Sequence, residues 1–336
     1  MPQFKENFSL KPYNTFGIEI QTKYFYKVFD TLELKKILAR NRNLPFNVLG
    51  GGSNILFTED FKGLTLLIDN KGIEVLYETS KTVTVEVQAG ENWHEFVLWC
   101  LDNNFGGVEN LALIPGSVGA APIQNIGAYG VELSSVFKSC KAFNINTLEE
   151  ELIEKKDCEF SYRSSVFKTH QKRKYIITSV CFQLQKFPHQ IKIDYGLIKN
   201  QFEQNYLPDI REVAKAVIAI RESKLPNPKK IGNCGSFFKN PLISIAHYEL
   251  LKQTYPELPS YPSYDKHVKV PAAWLIDQLG FKGIRNGDAG VHKNQALVLV
   301  NHGKAKGKEI LNLAKKIQLK VKETFNISLE TEVNII

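Results

Sequence analysis

The sequence is poor in cysteine and methionine and has no long hydrophobic run. Its five cysteines form no C-x-x-C pair, which argues against a disulfide framework and a structural zinc site. The seven histidines are not spaced as metal ligands, so we expect no metal. The polar amino terminus lacks the apolar core of a signal peptide, and no segment has the length of a membrane span. These absences predict a cytoplasmic protein with no membrane partner.

The charge is unbalanced, with 43 Lys and Arg residues against 35 Asp and Glu residues and a formal net charge of +8. This excess suits anionic ligands such as phosphates. Nucleic acid is the alternative, but the basic residues are scattered, and Lys172–Lys174 is one of the few runs. No zinc-finger spacing, basic zipper or aromatic RNA-binding signature occurs. We therefore expect no nucleic-acid partner.

The two common nucleotide-binding motifs, G-x-G-x-x-G and the P-loop, are also absent. Residues 50–54, GGGSN, instead follow a strand-like run at Phe46–Leu49. Three glycines let main-chain N–H groups approach an anion closely, and Ser53 and Asn54 add side-chain donors. A tight turn explains the triplet equally well.

A second loop, residues 106–133, is dense in Gly, Pro, Asn and Ala and has few charges. A long irregular segment inside a compact domain is usually functional. Its glycines and alanines make a wall with little side-chain bulk, against which a flat ring and a pyrophosphate could lie. Tight packing alone is the alternative, and we favour the ligand interpretation.

The remaining pattern mixes strands and helices without regular βαβ alternation, which indicates an α+β protein. Strands are predicted at 64–68, 72–77, 82–87, 136–146 and 175–184. Helices are predicted at 32–40, 93–101, 272–279 and 304–325, and residues 156–168 are expected to pass from helix to loop. The Pro-rich turn at Leu225–Pro228 predicts a domain boundary.

The segment GNCGSFFKNP, residues 232–241, places the hydroxyl of Ser236 between a glycine and two phenylalanines. A hydroxyl beside apolar rings is partly shielded from water, where proton transfers gain strength. The alternative is structural: the serine caps a helix and the phenylalanines fill the core.

Several segments, in order over nearly the whole chain, together resemble the UDP-N-acetylenolpyruvoylglucosamine reductase family. They are NTFG (14–17), GGGSN (50–54), AGENW (89–93), ENLALIPGSVGAAPIQNIGAYGVEL (109–133), FSYRSSVFK (160–168), SKLPNP (223–228), GNCGSFFKNP (232–241), AAWLIDQLGFKG (272–283), HKNQALVLVN (292–301) and LETEV (329–333). Such co-occurrence is far more specific than any single loop.

The resemblance implies an FAD-binding fold of the vanillyl-alcohol-oxidase (PCMH) type with a separate α+β substrate-binding domain. It places the first FAD-binding subdomain at 1–70, with the carboxy-terminal strand 328–336 returning to it. The second subdomain is placed at 71–222 and the substrate-binding domain at 223–327. The implied reaction uses NADPH and FAD to reduce the enolpyruvyl ether of UDP-N-acetylglucosamine-enolpyruvate to UDP-N-acetylmuramate, a peptidoglycan precursor.

The family's catalytic positions fall on Arg163, Ser236 and Glu332. Hydride addition leaves negative charge beside the substrate carboxylate, and this charge must be stabilised as it forms. The resemblance makes Ser236 the proton donor. Arg163 offers a planar fork that matches a carboxylate, and Glu332 could polarise that carboxylate by sharing a proton. A surface salt bridge and an exposed acid are the ordinary roles of such residues.

The resemblance also implies a set of binding residues. The substrate contacts are Tyr195, Lys224, Asn240 and Gln295. Tyr195 lies in a segment that only the long-loop members of the family keep. The FAD contacts are Gly50, Gly51, Gly52, Ser53, Asn54, Pro115, Gly116, Ser117, Gly119, Ala120, Gln124, Asn125, Gly127, Ala128 and Tyr129.

Two rival functions share much of this pattern. One is a flavin-dependent alcohol oxidase of the same fold, and the other is a sugar-nucleotide-binding protein without catalysis. The joint presence of Arg163, Ser236 and Glu332 argues against both.

No histidine lies in an obvious setting for flavin attachment, so we predict that FAD is bound without a covalent link. Acid precipitation of the purified protein should therefore release all flavin into the supernatant, as absorbance at visible wavelengths would show. Flavin that stays with the washed pellet would contradict this prediction.

Overall fold

The computed structural model describes residues 3–263 and 266–336, which form two compact units. The first unit contains residues up to Phe8, Thr22–Gly52 and Phe61–Ser223. The second contains Ser9–Gln21, Ser53–Asp60 and Lys224–Ile336. The boundaries predicted above, at 70/71, 222/223 and 327/328, stay predictions, and residues 1, 2, 264 and 265 of those ranges lie outside the described residues.

Strands and short helices alternate irregularly, which confirms the α+β class. The strands are β1 Lys5–Ser9, β2 Gln21–Val28, β3 Phe46–Leu49, β4 Ile55–Leu56, β5 Phe61–Ile68, β6 Ile73–Glu78, β7 Thr82–Gln88, β8 Gly127–Ala128, β9 Val131–Glu132, β10 Phe137–Asn144, β11 Glu149–Glu154, β12 Tyr175–Gln185, β13 Leu242–Ser244, β14 Tyr261–Pro262, β15 His267–Lys269, β16 Arg285–Asn286, β17 Ala289–His292, β18 Gln295–Asn301 and β19 Asn334–Ile335. The helices are α1 Thr31–Arg40, α2 Trp93–Asp102, α3 Gly196–Lys199, α4 Ile210–Lys224, α5 Ile245–Thr254, α6 Ala272–Gln278 and α7 Gly307–Phe325.

The first unit contains a four-stranded sheet in the order β1-β2-β5-β3, with β2, β5 and β3 parallel. Helix α1 covers this sheet. It begins where the Asp30 carboxylate accepts a hydrogen bond from the Glu33 N–H, a standard N-cap. Its apolar stripe, which includes Leu34 and Ile37, packs on buried β5 side chains such as Leu66. The β-α-β order puts the GGGSN loop directly after β3.

A five-stranded antiparallel sheet in the order β11-β10-β12-β7-β6 carries the larger core of the first unit. The alternating TVTVEV run forms β7 as predicted, and its valines are buried in that core. Trp93 and Phe96 of α2 pack against Phe182 of β12, and the Trp93 indole donates to the Leu111 carbonyl at 2.9 Å. Helix α2 therefore fixes one end of the long irregular loop.

The second unit is built on the sheet β16-β17-β18 and helix α7, which packs on it. The last helix was predicted from residue 304 but begins at Gly307. The delay has a cause: the Asn301 side chain accepts from the N–H groups of Gly303 and Ala305 and holds a turn there. The carboxy-terminal strand β19 pairs in parallel with β4.

No helix within residues 3–263 and 266–336 is both long and apolar enough to cross a bilayer.

The buried Asn301 side chain makes three hydrogen bonds. Its oxygen accepts from the N–H groups of Gly303 and Ala305, and its amide nitrogen donates to the Phe16 carbonyl at 2.9 Å. Asn301→Ala leaves the buried Phe16 carbonyl and Ala305 N–H without this partner, so we expect it to lower the free energy of unfolding by about 3 kcal/mol. Urea unfolding followed by circular dichroism measures this. Asn312→Ala, an exposed position on α7, is the control and should change little. Equal stability of the two variants would contradict the prediction.

Candidate active site

The two glycine-rich loops of the first unit pack backbone against backbone. A Cβ atom added to Gly51 would lie 2.7 Å from the Gly116 Cα, and one added to Gly50 would lie 2.2 Å from the Ser117 Oγ. A Cβ on Gly119 would lie 2.5 Å from that of Ala89. Tight packing, the alternative to ligand binding, therefore accounts for part of the low bulk.

The same loops also fit an anionic cofactor. The backbone N–H groups of Gly51, Gly116 and Ser117 donate to no acceptor within the described part of the chain. Gly116 has φ +128°, a conformation that favours glycine and turns the chain at this point. Main-chain donors beside a surface of small residues suit a pyrophosphate. Pro115, Ala120, Gln124 and Ala128 lie along the same loop with part of their surface exposed.

The first residues of helix α2, and Glu91 just before it, hold this loop in position. The Trp93 N–H donates to the Gly116 carbonyl at 3.0 Å, and the Val118 N–H donates to the Glu91 carbonyl at 2.8 Å. The Leu113 N–H donates to Nδ1 of His94 at 3.1 Å. Burial lowers the pKa of His94, which keeps the imidazole neutral and able to accept this bond.

Asn125 organises the loop from inside. Its buried amide donates to the Glu132 carboxylate at 2.9 Å and to the Ser161 carbonyl at 3.2 Å, and it accepts from the Ser134 N–H. These partners are protein groups, so Asn125 ties the loop to the segment that carries Arg163. Its predicted contact with FAD stays a prediction.

Arg163 lies in a tight turn rather than beyond a helix. Residues 156–168 were expected to begin as a helix, but they contain only the end of a 3₁₀ turn, Lys155–Cys158, before the hairpin that joins Ser161 to Ser164 by two 3.1 Å bonds. Arg163 has φ +54°, and its Nη2 donates to the Gly127 carbonyl at 2.6 Å. A Cβ on Gly127 would lie 3.1 Å from Nη1. Glycine at 127 thus lets the guanidinium approach the loop.

Arg221, which the sequence analysis did not single out, contacts the same loop from α4. Its Nε donates to the Leu113 carbonyl at 3.2 Å, and its guanidinium interacts with the Tyr129 hydroxyl. Burial lowers the pKa of Arg221, and the charge of Arg163 lowers it further. The sequence did contain a sign that Arg221 faces the protein interior. It follows Val217 by four residues and so continues the buried apolar stripe of α4.

Tyr129 and Tyr195 form an aromatic pair, with ring centroids 5.6 Å apart and an interplanar angle of 88°. Tyr129 and Gly130, with φ +50° and +81°, form the two-residue turn between β8 and β9. Burial raises the pKa of Tyr129. The first unit thus brings together Arg163, Arg221 and the two tyrosines.

In the second unit, Ser236 lies in an extended segment and does not cap a helix. The Phe237 N–H donates to the Leu297 carbonyl at 2.8 Å, and the Glu332 N–H donates to the Phe237 carbonyl at 2.9 Å. Phe237 and Phe238 are buried, as the structural interpretation of this segment expected. The backbone therefore holds Ser236 and Glu332 on neighbouring segments.

Two further side chains surround Glu332. Burial raises the pKa of the Cys234 thiol, and the Glu332 charge raises it further, so Cys234 is a neutral neighbour. The Asn54 amide donates to the Glu332 carbonyl at 3.2 Å, and the Asn54 carbonyl accepts from the Asn334 N–H. Asn54 was predicted to contact FAD. Its described contacts are with the carboxy-terminal segment.

The other predicted substrate residues lie at the ends of secondary-structure elements. The Asn240 Oδ1 accepts from the Ala272 N–H at the start of α6, and Gln295 begins β18. Lys224 ends α4 and is exposed. Across the two described ranges, no group of three or more His, Cys, Asp or Glu is placed to hold a metal ion.

Two family models match the chain. An FAD binding domain matches residues 25–154, and the C-terminal domain of UDP-N-acetylenolpyruvoylglucosamine reductase matches residues 227–336. The first match bears out the predicted FAD-binding fold and cofactor.

Relatives with the same name match over the full length. The enzyme of Flavobacterium johnsoniae is 53% identical over 99% of this chain and 100% of its own. That of Amoebophilus asiaticus is 47% identical, with 99% of each chain covered. The crystal structure of the reductase from Thermus caldophilus shares the fold, with a TM-score of 0.70 at 23% identity over 100% of this chain and 99% of its own. The chain belongs to the UDP-N-acetylenolpyruvoylglucosamine reductase family of FAD-dependent oxidoreductases.

Proposed function

We propose that the protein reduces the enolpyruvyl ether of UDP-N-acetylglucosamine-enolpyruvate to UDP-N-acetylmuramate during peptidoglycan precursor synthesis. One observation carries the residue assignment: the Glu332 N–H is bonded to the Phe237 carbonyl, which holds an acid next to the Ser236 segment. FAD, when bound, supplies hydride transfer from NADPH to the substrate. The protein must bind the sugar nucleotide, stabilise negative charge and deliver a proton.

Charge stabilisation is the task we assign to Arg163 and Arg221. Hydride addition to the terminal carbon of the enolpyruvyl group leaves negative charge on the neighbouring carbon and on its carboxylate. A fixed guanidinium in a partly buried site stabilises such charge without having to reorganise. Arg163 is oriented by the Gly127 carbonyl, and Arg221 by the Leu113 carbonyl.

Proton delivery is the task we assign to Ser236. A serine hydroxyl is a very weak acid, but the carbanion is a strong base, so the transfer is downhill when the geometry is tight. The bonds of Phe237 to Leu297 and Glu332 fix the backbone on one side of Ser236, and Gly235, with φ +73°, makes the turn before it. In its protonated form, the Glu332 carboxyl donates a hydrogen bond to the substrate carboxylate and so stabilises the negative charge that forms there.

Substrate recognition falls to Tyr195, Lys224, Asn240 and Gln295 in this proposal. The exposed Lys224 ammonium suits the diphosphate, and Tyr195, 39% exposed, offers an aromatic face to the sugar nucleotide. The glycine-rich loops hold FAD through main-chain N–H groups.

The rival functions predict different spectra. A protein whose yellow colour is bleached by NADPH and restored anaerobically by the UDP substrate is neither an alcohol oxidase nor a non-catalytic binder.

We also infer from composition a cytoplasmic location and the lack of a nucleic-acid partner. They are supported by the free state of all five cysteines and by the scatter of the basic residues.

Ser236→Ala should leave the reduction of bound FAD by NADPH nearly intact, because no proton from Ser236 is needed there. Flavin reoxidation by the UDP substrate should fall by about 10⁴-fold, the upper end of the range for a general acid. Rapid-mixing absorbance measures the two half-reactions separately.

Ser236→Cys is the matched control, since a thiol can also give up a proton, and it should recover part of the reoxidation rate. If Ser236→Ala slows both half-reactions equally, Ser236 is a structural residue and not the proton donor.

Arg221→Gln should lower kcat/KM for the UDP substrate by about 30-fold, because a hydrogen-bonded charge at such a site is worth about 2 kcal/mol. Arg221→Lys keeps the charge and should lose less. Arg211→Gln, at an exposed position on the same helix, should behave as the wild type. Steady-state kinetics at saturating NADPH tests this. Equal losses for Arg221→Gln and Arg221→Lys would show that Arg221 acts through packing or geometry rather than charge.

A further inference from the structure

The segment that carries Tyr195 has no regular structure between the end of β12 and the start of α3. At its beginning, the Gln190 N–H donates to the Gln185 side chain at 2.8 Å, and the His189 ring lies 3.0 Å from the Asn104 carbonyl. Nearer to Tyr195, the Lys192 carbonyl accepts a hydrogen bond from the Asn110 side chain. A segment without secondary structure depends on such side-chain bonds for a defined path.

Asn110 makes this bond from the interior of the first unit. It lies in the 3₁₀ turn Glu109–Leu111 and is fully buried. Its Nδ2 donates to two carbonyl oxygens, that of Lys192 at 2.9 Å and that of Tyr129 at 3.2 Å. The reverse amide orientation would set Oδ1 against both carbonyls, so these two acceptors determine which way the amide points.

The two carbonyls link Asn110 to both members of the tyrosine pair. Tyr129 contributes one of them and packs its ring against that of Tyr195. Lys192 contributes the other and lies three residues before Tyr195. On the same side as Tyr129, a Cβ atom on Gly130 would lie 4.0 Å from the Tyr195 Cβ. One buried amide group therefore joins the glycine-rich loop to the segment that presents Tyr195.

We propose that Asn110 is a positioning residue that sets the place of Tyr195 for the UDP-sugar substrate. This inference rests on the proposed role of Tyr195 in substrate binding. Asn110 itself need not touch the substrate, because it acts through the backbone of Lys192 and Tyr129. Its loss should therefore weaken substrate binding more than it slows flavin reduction by NADPH.

Asn110→Asp tests the donor with almost no change of shape. A carboxylate oxygen replaces Nδ2 and faces the carbonyl oxygens of Lys192 and Tyr129. Because these oxygens repel one another, the segment that carries Tyr195 should move away from Asn110. We expect the KM for UDP-N-acetylglucosamine-enolpyruvate to rise about tenfold, while NADPH reduces bound FAD within twofold of the wild-type rate. Asn110→Ala removes the donor without adding charge and should act in the same direction.

Lys192→Ala is the matched control on the segment. Its side chain is exposed, and the substitution keeps the carbonyl that Asn110 binds, so its KM should match that of the wild type. A double-mutant cycle with Tyr195→Ala separates positioning from general structure. In the Tyr195→Ala background, Asn110→Asp should raise the KM less than twofold further.

Each outcome has a defined meaning. A full tenfold effect of Asn110→Asp in the Tyr195→Ala background, or equal slowing of both half-reactions, would overturn the proposal. So would failure of both Asn110 variants to fold with FAD bound, because Asn110 would then be structural. If Tyr195→Ala alone leaves KM unchanged, the substrate role of Tyr195 is wrong and this proposal falls with it. The proposed reaction would still stand on the Ser236 result.

Discussion

The close contact between two glycine-rich loops is the constraint on which the first unit's site depends. Gly51 lies against the Gly116 backbone at a distance that leaves no room for a Cβ atom. Packing and ligand binding are therefore compatible explanations of the same residues. Glycines let the loops meet, and main-chain N–H groups of Gly51, Gly116 and Ser117 make no bond to the described residues. A methyl group at Gly51 would disturb both functions at once.

Buried amides extend this arrangement to the charged residues. Asn125 connects the loop to the Arg163 turn, and Asn110 connects it to the segment of Tyr195. Each buried side-chain bond contributes only about 1 kcal/mol net, but leaving a partner unsatisfied costs up to about 3 kcal/mol. The network therefore favours one arrangement of Arg163 and Tyr195. In the second unit, the main-chain hydrogen bonds of Phe237 hold the segments that carry Ser236 and Glu332 next to each other.

Residue-level patterns predicted much of the secondary structure, and for physical reasons. The alternating valines of β7 and the apolar stripes of α1 and α7 report which side of each element is buried. Boundaries were less predictable. The last helix begins three residues late because Asn301 holds a turn. The expected helix before Arg163 is replaced by a hairpin that contains Arg163, and the Ser161 carbonyl of this hairpin accepts a hydrogen bond from Asn125. The first cause is a local side-chain contact that hydrophobic periodicity does not register, and the second involves residues 36 positions apart in the chain.

By itself, the sequence determined the family, the α+β class and the FAD cofactor, and it named the candidate loops and catalytic residues, because each motif is a short run of residues that can be recognised without the fold. Only the tertiary structure decided that Arg221 faces Tyr129 and that Asn110 spans two backbone segments. Arg221 occupies a core-facing position of α4, where an arginine has no local signature of function. Asn110 bonds a carbonyl 82 positions away. Such contacts depend on how loops fold back, which no local pattern records.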